Sequence, residues 1–283
     1  AQLVGDDGSS LYGEPCGKGF LKFREVSSGA MLELRYEQSA SEWMGRRVKI
    51  YHDNEDNLVY MCESGNDDVI AEISGGDISG FSSSERELTW YERQSSTRWE
   101  SSRKLKKCTV PQSCDIIYNG RYTEQHSFVY ALLEQSSDYN IDKVILIDTD
   151  NDSDADLIKI DAYLPVYVKS ANGDELIIKN SLNNTVLNLK EADDSPETEV
   201  YSASGDEINL SAVKQGSVAS VFETIDGKKK WKIIVSDSVC EGKLDAVSEE
   251  NGKKILTVDD SDFNLSGIML PYASELKPGQ EYT

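Results

Sequence analysis

Apolar positions along this chain come in short runs of four to seven residues, many of them alternating with polar ones. Val48-Lys49-Ile50-Tyr51, Leu58-Val59-Tyr60-Met61, Val166-Tyr167-Val168 and Trp231-Lys232-Ile233-Ile234-Val235 are examples. A period of two sends successive side chains to opposite faces of a pleated ribbon, where β-branched and aromatic residues pack well, so each run predicts a strand. Gly, Asn, Asp and Ser separate the runs and supply tight turns, such as Asn57 after Asp53-Asn54-Glu55-Asp56 and Asp226-Gly227 after Ile225. Helical spacing is confined to Ser127 to Gln135, where Phe128, Ala131 and Leu132 share a stripe that Ser127 can cap. The expectation is an all-β chain: several small β-barrel- or sandwich-like modules in tandem, with at most two short helices.

Composition shifts suggest where one module ends and the next begins. The reading is a small β-module over 1–64, a linker plus central β-domain over 65–168, a β-module over 169–240 and a partial module over 241–283. The Gly/Ser-rich stretch from Ser74 through Gly75, Gly76 and Gly80 to Ser84 reads as loop or linker. The last segment resembles 17–62. Gly17 to Val26 leads through Ser28-Gly29 to Met31-Leu32-Glu33-Leu34, and Glu241-Gly242 to Val247 leads through Asn251-Gly252 to Ile255-Leu256-Thr257-Val258. Both are a glycine, a strand, a turn and a second strand, as a module used twice would be. The chain opens without Met or a signal peptide and is expected to be a segment of something longer.

Charge narrows the partners. The 283 residues carry 29 basic and 51 acidic side chains, a formal charge of -22, which repels phosphate backbones and argues against a nucleic-acid partner. Apolar runs such as Val144 to Ile147 fall far short of the ~20 residues that span a bilayer, so no membrane span is expected. Cys16, Cys62, Cys108, Cys114 and Cys240 form no Cys-x-x-Cys pair. A disulfide closing Cys108 to Cys114 and five buried free thiols both remain open.

The sharpest chemical feature is the turn Asp148-Thr149-Asp150-Asn151-Asp152-Ser153-Asp154-Ala155-Asp156, set between two apolar runs. Acidic side chains at alternate positions of a tight turn can converge on a hard cation such as Ca2+, which takes six to eight oxygens, and Asp148, Asp150, Asp152, Asp154 and Asp156 are the candidate ligands. Ser153 stands where an EF-hand loop has glycine, and Lys159 where it has its bidentate glutamate. The competing reading is a solvated acidic hairpin tip that keeps a sheet edge from aggregating. Trp90, Tyr91 and Trp99 flank Gln94 to Thr97 as in a hairpin, and form a candidate ligand-binding face for carbohydrate if exposed or a small core if buried. The cluster Arg103-Lys104-Leu105-Lys106-Lys107 suggests either contact with an acidic neighbouring surface or a lysine-guarded strand edge. His52 and His126 sit in no known nucleophile or metalloprotease motif, and no enzyme activity is expected.

Ile116-Ile117-Tyr118-Asn119-Gly120, followed by Val144-Ile145-Leu146-Ile147-Asp148-x-Asp150-x-Asp152-x-x-Ala155-Asp156-Leu157-Ile158-x-Ile160, resembles a segment of large multi-domain β-rich structural proteins. These belong to Gram-positive bacterial cell surfaces, of the surface-layer stalk type, and to phage virions and tails. The resemblance covers roughly 17–62 and 115–283. It implies a non-catalytic structural subunit of an extracellular assembly, virion or cell surface, oligomeric in context, with other subunits of the same assembly as partners. This chain departs from the usual acidic turn in having Ser153 in place of glycine after Asp152. The alternative class is a carbohydrate-binding or adhesin module built on Trp90, Tyr91 and Trp99.

Overall fold

The computed structural model describes residues 1–36, 38, 40–64, 69–93, 103–134, 139–150, 152–172, 175–179, 186–188, 197–225, 230–236, 242–250, 253–264 and 276–282. Of the structure, 54 % is strand and 8 % helical, so the chain is all-β, built from several small sheets. Among the described residues no sheet closes into a barrel, and the one α-helix is His126–Leu133, within a residue or two of the stretch the sequence marks. The chain forms two compact units.

The first unit comprises Ala1–Ser137, Ile141–Ala162 and Thr224–Lys228. Its centre is three strands carrying the apolar runs Ile116-Ile117-Tyr118 and Val144 to Ile147 and the start of Leu157–Asn172, where Lys159 and Asp161 interrupt the apolar residues. Asp115–Tyr118 runs parallel to the start of Leu157–Asn172, pairing Ile116 with Ile158 and Tyr118 with Ile160. Asn140–Ile147 pairs with that strand as well, and on its other side Val69–Ser74 lies antiparallel with Lys143 opposite Ser74. Around these lie an antiparallel sheet of Gln2–Gly5, Phe20–Arg24 and Met31–Arg35, the hairpin Val48–His52 with Leu58–Glu63, and an antiparallel sheet of Ile78–Ser82, Glu87–Arg93 and Arg103–Thr109. One core joins Leu3, Phe23, Leu34, Met44, Val48 and Leu58 to Ile117, Ile145, Ile147 and Leu157. Buried residues of 1–64 therefore pack in one cluster with strands from 115–160.

The stretch 74–84, expected as a linker, instead ends one strand at Ser74, makes a single 3-10 turn at Gly75–Asp77 and carries a second strand, Ile78–Ser82. Glycine is used there for close approach, since a Cβ on Gly75 would lie 1.8 Å from the Ile141 carbonyl oxygen. A different economy operates at Asn119-Gly120. Both residues have positive φ, 48° and 79°, and close a two-residue turn between Asp115–Tyr118 and Arg121–Tyr122. The Asn119 side chain then continues the parallel ladder past that turn. Its Nδ2 donates to the Ala162 carbonyl (2.9 Å) and its Oδ1 accepts from the Ala162 N–H (2.8 Å).

The second unit comprises Asp138–Asn140, Tyr163–Glu223 and Lys229–Thr283. The later part of Leu157–Asn172 is antiparallel to Val218–Glu223, which is antiparallel to Lys230–Val235, and Glu197–Ser202 lies parallel to the last. Leu164, Val166, Val168, Val200, Ala219, Val221, Trp231 and Ile233 face one core from these strands. A separate sheet holds Gly242–Glu250, Lys253–Val258, Ser261–Asn264 and Glu281–Tyr282. Both hairpins of the proposed repeat form, but their flanks differ. Gln2–Gly5 borders Phe20–Arg24, whereas Glu281–Tyr282 borders the start of Gly242–Glu250.

Candidate metal centre

The strands Asn140–Ile147 and Leu157–Asn172 emerge from a buried sheet, so the turn between them is held at both ends by packed side chains. Ala155 is itself buried and donates its N–H to the Thr109 carbonyl (3.0 Å), and Asp115 donates to the Asp156 carbonyl (2.8 Å). Inside the turn the first three aspartates each reach two residues on, as short carboxylate side chains do. Asp148 Oδ1 accepts from the Asp150 N–H (3.1 Å), Asp150 Oδ1 from that of Asp152 (3.2 Å), and Asp152 Oδ1 from that of Asp154 (2.8 Å). Asp148 Oδ2 also accepts from the Ser153 N–H (2.9 Å). Ser153 has φ 77°, the left-handed conformation that the glycine of a cation loop supplies, so its side chain has not prevented the sharp turn.

This winding brings three of the five candidate aspartates together. One carboxylate oxygen each from Asp148, Asp150 and Asp156 lies within 4.8 Å of the others, a group that could hold a metal ion. Asp152 and Asp154 are not in it, although their backbone groups belong to the same ladder. Asp156 is held by Thr149, whose N–H and hydroxyl both donate to its Oδ2 (2.6 Å each). The Thr149 carbonyl in turn accepts from Arg47 Nη2 (2.7 Å). An all-oxygen set of this kind suits a hard cation. Incipient desolvation, and then the charges of Asp156, Asp152 and Asp148, hold the Asp150 pKa above its ordinary value, so the turn carries repulsion that a cation would relieve.

Lys159, at the twelfth position of an EF-hand register, takes no part in the turn. It is 8 % exposed in the central sheet, and its Nζ donates to the Glu42 carbonyl (2.7 Å). Burial, reinforced by Arg46 and Lys143, lowers its pKa from 10.5 to about 8. A lysine with a depressed folded-state pKa leaves the unfolded chain holding more protons between the two values, so stability rises with pH across that window. We expect the first unit to gain about 3 kcal/mol from this group between pH ~8 and ~10.5. The buried thiols, whose pKa values are raised, contribute an opposite slope common to both proteins, so denaturant titrations at several pH values should show this gain as the difference between the wild type and Lys159→Met.

The other candidates separate. Trp90 is 7 % exposed, packed inside its sheet, while Tyr91 on the opposite face is 38 % exposed beside its cross-strand partner Leu105. Trp99 lies outside the described residues. The basic strand Arg103–Thr109 finds its acidic surface on the strand next to it, with Lys106 3.2 Å from Glu92 and Lys107 2.8 Å from Glu87. His126 meets the Tyr130 hydroxyl (3.2 Å), and His52 Nδ1 lies 3.0 Å from the Asp53 carbonyl oxygen. Cys16, Cys62, Cys108 and Cys114 are free thiols, and Cys240 lies outside the described residues. Burial raises the thiol pKa of Cys16 and Cys108 to about 11 and that of Cys114 further, which makes these groups poor nucleophiles. The sequence reading missed Arg47 and Thr149. Thr149 sits within the acidic turn, but Arg47 is 102 residues from its partner, and nothing local announces it. Comparison with protein-family models, with curated proteins and with solved structures gives no match.

Proposed function

We propose that the protein is a non-catalytic structural subunit of an extracellular assembly, a phage virion or tail component or a bacterial cell-surface stalk, and that its first unit is tied by Ca2+ at the turn 148–156. The observation that carries this reading is the convergence of Asp148, Asp150 and Asp156 where two strands leave a buried sheet. A divalent ion there cancels carboxylate repulsion and pins both strands, so its binding energy becomes folding energy. Such a tie suits a spacer in a calcium-containing exterior. Two clusters of buried residues and a strongly acidic composition support the same role, because they supply soluble bulk without needing a reaction centre.

Thermal melts in EDTA, in millimolar calcium and in sodium chloride of matched ionic strength test the metal directly. Calcium at about 100 times its dissociation constant should raise the first unit's melting temperature by roughly 5–10 °C over EDTA. Asp150→Asn should abolish that rise, and in EDTA it should melt slightly above the wild type, because it removes one repelling charge. Equal melting temperatures in EDTA and calcium would exclude the ion. The assembly role is tested by electron microscopy of the native source with antibody against the chain. Labelled copies at symmetry-related positions on a particle or surface lattice are expected, and label confined to dispersed protein would overturn it.

A further inference from the structure

We draw no further inference here: the strongest candidate, the hairpin Val48–His52 and Leu58–Glu63, on which Tyr51, Val59 and Tyr60 stand more than half exposed, is an apolar surface for which nothing in the structure shows what covers it.

Discussion

Asn119→Ala is expected to destabilise the first unit by about 3–4 kcal/mol, a large effect for a residue on a turn. Alanine at φ 48° forfeits the tolerance asparagine has for the left-handed region, worth about 1 kcal/mol. The larger part comes from Ala162, whose N–H and carbonyl both bond to the Asn119 side chain. Ala162 is buried, so the substitution leaves a donor and an acceptor without partners at ~1–3 kcal/mol each, less what a penetrating water restores. Asn119→Gly separates the two causes, since glycine accepts the backbone angle but offers nothing to Ala162. It should recover only about 1 kcal/mol of the loss. Urea titrations of the three proteins give the comparison, and a glycine variant as stable as wild type would show that the ladder extension contributes nothing.

Gly75→Ala is expected to cost at least as much, about 3–5 kcal/mol, by a purely steric route. The new Cβ would lie 1.8 Å from the Ile141 carbonyl oxygen and 2.6 Å from its carbon, both backbone atoms that cannot swing aside. Relief requires the strands Val69–Ser74 and Asn140–Ile147 to part where Ser74 faces Lys143, at the edge of the central sheet. Gly76 provides the internal control, with nothing within 4 Å of its would-be Cβ. Gly76→Ala should therefore melt within a degree or two of wild type while Gly75→Ala melts roughly 8–15 °C lower, as read by calorimetry. Equal effects at the two positions would mean that backbone flexibility, and not contact, decides this site.

These two residues also mark what the sequence can and cannot tell. Asn119-Gly120 is legible as a turn, because an Asn-Gly pair between apolar runs has few other uses. That the same asparagine would bond to a residue 43 positions on is not. Strand after strand was likewise legible from its period, and the acidic turn from its spacing. Pairing was not, because a run such as Val144 to Ile147 specifies burial on both faces without naming the neighbours that bury it. The glycines at 75 and 76 read as flexibility when one of them serves tight packing. Trp90 and Tyr91 are adjacent in sequence, and only the register of their sheet decides that the first is buried and the second faces solvent. The basic run at 103–107 was partnered by glutamates that come earlier in the chain, a cross-strand neutralisation invisible to a local count.

The segmentation of the first unit bears on how the protein is made. Its last piece, Thr224–Lys228, follows Ala162 only after the chain has traversed Tyr163–Glu223. The Gln125 side-chain amide donates to the Ile225 carbonyl, and Thr224 is buried, so the late segment is woven into what was synthesised first. A ribosome adding about 5–20 residues per second reaches it some 3–12 s after Ala162. Through that interval the nascent first unit lacks a piece of itself, and it must remain soluble while the intervening segment emerges. Heavy acidity is useful at that moment, since incomplete chains on neighbouring ribosomes repel one another before either has closed.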